Sequence, residues 1–279
     1  MEYDFQQVDV FTSGKFKGNP VAVVASADHL STEEMQSFAR WMNLSETTFL
    51  LKPTSPDADY RLRIFTPRAE LPFAGHPTLG SCHAWLQAGG RPKKSIIIQE
   101  CQAGLVPIRH ENDRLAFAAP PLIRSGDLDK DLLEKIAAGL RIPLSSIQAS
   151  AWVDNGPGWA GIMLKSREEV LALEPDYASM PDLRFGVIGA WDREKDGTDA
   201  EFEVRAFAMG LGVNEDPVCG SLNASMAQWL IGSGLAPKNY IVSQGSLLGR
   251  DGRIYVDQIG DSIWIGGATT SNIVGKLRL

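Results

Sequence analysis

Two stretches of this chain carry no charge, and the rest of the pattern can be read around them. Residues 74–90 (AGHPTLGSCHAWLQAGG) and 218–237 (VCGSLNASMAQWLIGSGLAP) lack Asp, Glu, Lys and Arg. Their residues are small or apolar enough to pack on every side, so each is predicted as a helix inside a domain rather than on its surface. Pro77 suits a first helical position, where the amide it lacks would have had no partner. The other amides of that first turn have no acidic cap, so an anion from outside could fill them.

Around these helices the chain alternates in shorter periods. Residues 8–12 and KGNPVAVV (17–24) read as strands with a Gly-Asn-Pro turn between them. Ser31 and Glu34 match a capping box, and Met35, Phe38, Ala39 and Met42 make one apolar stripe, ending at Asn43. LSETTFLL (44–51) places Glu46 directly before a strand, and residues 61–66 form the next. SIIIQE, LVPIRH and RLAFAAPP continue as strands to a Pro-rich boundary at Pro120 and Pro121. Beyond it, residues 128–139 predict an amphipathic helix, followed by strands at SAWVDN, GWAGIMLK, FGVIGAW and EFEVRAFA. After the second charge-free helix, YIVSQGSLLGRDGRIYVDQIGDSIWIGGA reads as a run of short strands with glycine turns.

The two charge-free segments also resemble each other. LRIF (62–65) corresponds to VRAF (204–207), and ELPFAGHP (70–77) to EDPVCGSL (215–222), sharing E-x-P-x-x-G. Downstream, IIIQECQAGLV and IVSQGSLLGR each run through a β stretch into Gln and a glycine turn. Order is kept on both sides of the helix, which points to duplication. Two repeats would aim both helix N-termini at one interdomain cleft, and two partial positive poles suit a carboxylate substrate.

Composition narrows the partners. With 279 residues, 44% hydrophobic and 22% charged, the chain can bury a core in two domains. A net charge of -7 argues against nucleic acid. No apolar run reaches the roughly 20 residues of a membrane span, and the acidic start is unlike a signal peptide, so a cytoplasmic protein is expected. Cys82, Cys101 and Cys219 are odd in number and widely spaced, suggesting neither a disulfide framework nor a metal site. His76 and His83 share a helix face, but no Cys, Asp or Glu between them completes a metal set.

GNPVAVV, NLSETTFLL, FTPRAELPFAGHPTLG, NEDPVCGS and QGSLLGR, in that order, resemble the PhzF-like (phenazine biosynthesis protein F) isomerase family, of the diaminopimelate epimerase-like fold. The resemblance spans nearly the whole chain. It implies an α+β fold of two pseudo-symmetric domains, each a mostly antiparallel sheet wrapped around a buried central helix. The expected division is 1–121, with 270–279 packing back on it, and 122–269, with the active site in the cleft between them. It further implies a homodimer and proton transfer without a cofactor or metal.

Carried over by motif, Glu46, His76, Asp216 and Ser221 are the site residues, and Gly75 and Gly220 place backbone amides at the helix starts. Moving a hydrogen between carbons needs a base, an acid and a holder of negative charge. Glu46 is expected to serve as base and then acid; enclosure against Thr47, Thr48 and Phe49 would raise its pKa. A solvated strand-edge glutamate is the plain alternative. His76 would meet a substrate oxygen or ring nitrogen, or merely cap its turn. Asp216 would cap the second helix or bind an amine or hydroxyl, and Ser221 would cradle a carboxylate or act as an N-cap. Cys219 departs from the two-cysteine epimerases of this fold, because the first repeat has Ala74 at the matching position. It is either an accessory thiol or a small buried residue. Three readings follow: an isomerase acting on a small carboxylate-bearing metabolite, a racemase or epimerase using Cys219, and a non-catalytic ligand-binding protein.

Overall fold

Local chemistry places the first surface helix. In the computed structural model, which describes residues 1–111 and 113–279, helix α1 (Thr32–Met42) starts from Ser31 with the capping box complete and ends at Asn43 in the left-handed conformation. Met35, Phe38 and Ala39 are buried, so the apolar stripe faces inward as its spacing requires.

By contact density the chain divides into two compact units, 1–118 with 266–279, and 119–265. In the first, β1 (Glu2–Val10) pairs antiparallel with β2 (Asn19–Val24), and β2 runs parallel to β3 (Thr47–Leu51), with α1 as the crossover. Strand β3 pairs antiparallel with β4 (Tyr60–Phe65), which folds back on the short β5 (Glu70–Leu71). Helix α2 (Gly75–Gln87) then crosses over to β6 (Ile97–Cys101), parallel to β4, and a meander closes through β7 (Gly104–Glu111) and β8 (Arg114–Ala118). Strand β3 is buried at all five positions, matching its unbroken TTFLL run. Nine residues of α2 are buried, which explains why no charge interrupts it. A Cβ added at Gly80 would stand 2.3 Å from Val21 Cγ1, so helix and sheet touch there without room for a side chain.

The second unit repeats this order of pairings. It opens with β9 (Arg124–Gly126) and the amphipathic α3 (Lys130–Leu140), whose Ile136 and Leu140 join a core with Ile162, Val187 and Phe207. Strand β10 (Ala149–Asp154) pairs antiparallel with β11 (Ala160–Leu164), and β11 runs parallel to β12 (Phe185–Ala190) across the short α4 (Arg167–Leu171). Strand β13 (Phe202–Ala208) pairs with β12 and folds back on β14 (Val213–Asp216). Helix α5 (Gly220–Gly232) crosses to β15 (Asn239–Gln244), parallel to β13, and β16 (Gly252–Ile259) returns antiparallel. Each β-hairpin before a buried helix is pinned by the same forked ion pair: Arg63 Nη2 to Glu70 at 2.7 Å, and Arg205 Nη2 to Glu215 at 2.8 Å. Two N–H groups of one guanidinium meet both carboxylate oxygens, which fixes the hairpin's register.

Four expectations need correction. The first strand begins at Glu2, because β1 is hydrogen-bonded on both sides, to β2 and to β17 (Ser262–Arg278), which supports its polar half. The final segment keeps its glycine turns, at Gly245, Gly249 and Gly260 between β15, β16 and β17, but its last strand is not short: β17 runs 17 residues to Arg278. Pro77 is the third residue of α2, still in the turn whose amides lack partners. The amphipathic helix starts at Lys130, after Asp129, rather than at Leu128. No helix among the described residues is long and apolar enough to cross a membrane.

Candidate active site

In the first unit, Glu46 precedes β3 and His76 is the second residue of α2. Their side chains meet, with His76 Nε2 3.4 Å from Glu46 Oε2 and side-chain exposures of 4% and 14%. What holds them in register is a ladder of small hydroxyls: Ser81 Oγ donates to Thr48 Oγ1 at 2.8 Å, and Thr48 Oγ1 donates to the Ala22 carbonyl at 3.3 Å. One turn of α2 is thereby tied to β3 and β2. Behind it, Gln99 Nε2 donates to Thr78 Oγ1 at 3.0 Å, and Tyr60 Oη donates to Gln99 Oε1 at 3.1 Å.

Burial decides the charge of His76. Desolvation pushes its pKa down to about 3, against a smaller opposing contribution from a Pro20 backbone hydrogen bond, so the ring is neutral near pH 7. Asn19 Nδ2 lies 3.3 Å from His76 Nδ1. Helix α2 has no side-chain cap and no acidic residue in its first turn, and Gly75 is buried at its start. Amides without a side-chain partner, a neutral imidazole and a carboxylate therefore share one corner of this unit. His76 does not cap its own turn; the N-cap position is Ala74.

In the second unit, Cys219, buried to 4% exposure, occupies the N-cap position of α5, which likewise has no side-chain cap. Ser221 is therefore not the N-cap. It lies in the first turn, where its Oγ accepts from Trp159 Nε1 at 3.2 Å and stands 3.6 Å from Cys219 Sγ. Asp216 is not the helix cap either: Oδ1 accepts from the Val218 amide at 3.1 Å, shaping the turn before the helix. Desolvation pushes its pKa up to about 6, opposed by hydrogen bonds from the Val218 amide and the Cys219 thiol. Gly220 begins the helix and is buried.

Sequence reasoning passed over the residue that braces this turn. Gln244 Oε1 accepts from the Cys219 amide at 3.1 Å and from Asn223 Nδ2 at 2.9 Å, while its Nε2 donates to the Asp216 carbonyl at 3.0 Å. Gln244 and Asn223 stand where the first repeat has Gln99 and Thr78, so the repeated β-then-Gln pattern was the signal for it. His83 is held away from this chemistry: Thr269 Oγ1 is 2.8 Å from its Nδ1, and Ser271 Oγ is 3.0 Å from its Nε2. No group of three or more His, Cys, Asp or Glu side chains suited to a metal occurs among the described residues.

The Phenazine biosynthesis-like protein family model matches residues 8–271. The chain is 40% identical to Antisense-enhancing sequence 1 of Schizosaccharomyces pombe, over 99% of this chain and 98% of that protein. It is 35% identical to trans-2,3-dihydro-3-hydroxyanthranilate isomerase of Pseudomonas aeruginosa, over 89% of this chain and 87% of the relative. Among solved structures, a phenazine biosynthesis protein of the PhzF family from Enterococcus faecalis superposes with a TM-score of 0.83 at 26% identity, covering 100% of both chains.

Proposed function

This chain belongs to the phenazine biosynthesis-like (PhzF) family, whose curated relatives include named isomerases, and we propose from that premise that it moves a proton within a small carboxylate-bearing metabolite. The observation that carries the reading is the Glu46–His76 contact, a carboxylate 3.4 Å from an imidazole that burial keeps neutral. Glu46 takes the proton from a substrate C–H bond. The electron pair passes into the neighbouring π system, Glu46 becomes a carboxylic acid, and it returns the proton to another carbon of that system. No electron leaves the substrate.

Negative charge developing on the substrate needs fixed donors. The uncapped amides of α2, beginning at Gly75, supply them next to Glu46, and a neutral His76 can offer an N–H without stabilising the Glu46 anion as a full imidazolium would. Gly220 and Ser221, at the start of α5, are proposed to bind the substrate carboxylate. Asp216, with a pKa of about 6, is proposed to hold a hydroxyl or amine in either protonation state.

The racemase or epimerase reading keeps one observation in its favour, a Cys219 thiol hydrogen-bonded to Asp216 at the start of α5. The first repeat offers Ala74 in the matching place, so the opposed thiol of a two-cysteine mechanism is missing. Alkylation of Cys219 should abolish epimerisation while leaving Glu46 chemistry largely intact.

The relative's substrate makes trans-2,3-dihydro-3-hydroxyanthranilate the first acid to try, followed by other small carboxylates that raise the melting temperature. In D2O, the parent protein should incorporate solvent deuterium into the substrate, and Glu46→Gln should bind it without incorporation. Unchanged incorporation in Glu46→Gln refutes the assignment, and binding without any exchange in the parent favours a non-catalytic binding protein.

A further inference from the structure

The hairpin between β10 and β11 reaches the start of α5, and proton transfer by Glu46 gives it no task. Its turn is held in one shape. Asp154 Oδ1 accepts from the Gly156 and Gly158 amides at 2.7 and 2.6 Å, and Arg184 Nη1 donates to the Pro157 carbonyl at 2.7 Å. Both glycines have positive φ, 136° and 89°, which other residues rarely adopt. The two ends of the turn are therefore delivered to fixed places, and both go to Ser221. Asn155 Nδ2 donates to the Ser221 carbonyl at 2.9 Å, and Trp159, 1% exposed, donates from Nε1 to Ser221 Oγ at 3.2 Å. One residue is gripped by both of its oxygens. The first unit has a parallel: its β1–β2 hairpin brings Asn19 Nδ2 to 3.3 Å from Nδ1 of His76, which like Ser221 is the second residue of its buried helix.

An indole nitrogen donates and never accepts, so the hydrogen of the Ser221 hydroxyl cannot point back at Trp159. It must go elsewhere. The other contact of that oxygen is Cys219 Sγ at 3.6 Å, a weak acceptor whose own hydrogen goes to Asp216. The hydrogens then run one way, from Trp159 through Ser221 and Cys219 to Asp216, from a group that only donates to an ionised carboxylate that only accepts. Ser221 is also the residue of this turn that a ligand can reach, being only partly buried where Cys219, Gly220 and Leu222 are buried. A carboxylate oxygen arriving there is a far better acceptor than sulfur and takes the hydrogen.

We propose that Trp159 is a positioning residue, with Asn155 steadying the same turn: by filling an acceptor site of Ser221 Oγ it commits the hydroxyl to donate, so that the start of α5 takes an ionised carboxylate. That role rests on the proposed binding of the substrate carboxylate by Ser221, and not on proton transfer by Glu46.

Benzoate serves as the probe, its binding measured by titration calorimetry on the parent, Ser221→Ala, Trp159→Phe and the double variant. In the parent background Trp159→Phe should weaken benzoate by about five-fold, and in the Ser221→Ala background by less than about two-fold, because no hydroxyl is left to orient. No weakening in the parent background, or equal weakening in both, overturns the proposal, since a ring that merely fills space acts regardless of the hydroxyl. A second measurement needs only the parent and holds even if the Phe variant fails to fold. The Trp159 Nε1–H proton signal, assigned by its nuclear Overhauser contacts to Ser221, should move to lower field as benzoate saturates, because a hydroxyl that donates to a carboxylate becomes a stronger acceptor. An unmoved signal at saturation overturns the proposal, and so does an absence of benzoate binding up to its solubility. Failure of the proton-transfer reading looks different: Glu46→Gln would still incorporate deuterium while the coupling between Trp159 and Ser221 stayed as described.

Discussion

Acidification should weaken this fold through His76, and the expected slope can be worked from its burial. The ring's pKa is about 3 in the folded protein against 6.5 for an ordinary histidine. The unfolded chain therefore binds a proton through a window where the folded one does not, and stability falls as pH drops from 6.5 toward 3. Between about pH 7 and pH 5 the loss integrates to about 2 kcal/mol. Asp216 works in the opposite sense. Its pKa is raised from 3.8 to about 6, so the stability it contributes is present at low pH and lost as pH rises through that window, recovering about 1 kcal/mol over the same acidification. The two should partly cancel in the parent, and single variants should separate them. His76→Gln, whose amide does not titrate, should be about 2 kcal/mol less sensitive to the shift from pH 7 to pH 5. Asp216→Asn should be more sensitive than the parent. Urea unfolding followed by tryptophan fluorescence at each pH measures both, repeated in a Glu46→Gln background so that the neighbouring carboxylate cannot supply the slope. A His76→Gln protein that loses stability on acidification as steeply as the parent refutes the burial argument.

Three further outcomes follow from packing and caps. Gly80→Ala should destabilise the first unit by about 1–3 kcal/mol, since the new Cβ would meet Val21 Cγ1 at 2.3 Å; calorimetry reads it, and Val21→Ala in the same chain should recover part of the loss. Ser31→Ala removes the acceptor for the Glu34 amide and should cost about 1 kcal/mol in urea unfolding, with no change in deuterium incorporation. Gln244→Leu leaves the Cys219 amide and the Asp216 carbonyl without their side-chain partner, and should cost about 2–4 kcal/mol while raising hydrogen exchange at the start of α5.

The features legible in the sequence were those with a local cause. Ser31 and Glu34 announced α1 because a capping box closes within four residues. The absence of charge marked α2 and α5 because a helix covered on all sides tolerates none. The site was legible only in part. Glu46 and His76 are 30 positions apart, and nothing in spacing brings a residue before a strand onto the second residue of a later helix; the motif resemblance, not periodicity, paired them. Asn19 was hidden inside a turn signature, because Gly-Asn-Pro reads the same whether its asparagine faces solvent or a buried ring. The polar start of β1 was missed for a non-local reason: the strand that flanks it comes from residues 269–278. The glycine turns at Gly245, Gly249 and Gly260 were legible because a left-handed turn is a local requirement, whereas the length of β17 depends on its distant partner β1.

Strand β17 sets an order of events during synthesis. The second unit, 119–265, is one uninterrupted segment, whereas the first needs residues 266–279. A ribosome delivers residues 1–118 before the second unit and before the strand that completes their own sheet, so the half made first is the half that must wait. Until then β1 lacks its partner from Glu2 to Val10, and its open edge is available to any chaperone or neighbouring nascent chain that binds extended backbone. Glu46 and His76 lie in that waiting half. The corner they share would therefore be assembled only once residues 266–279 have emerged, and a message cut short within β17 would yield a folded second unit attached to an unfinished first.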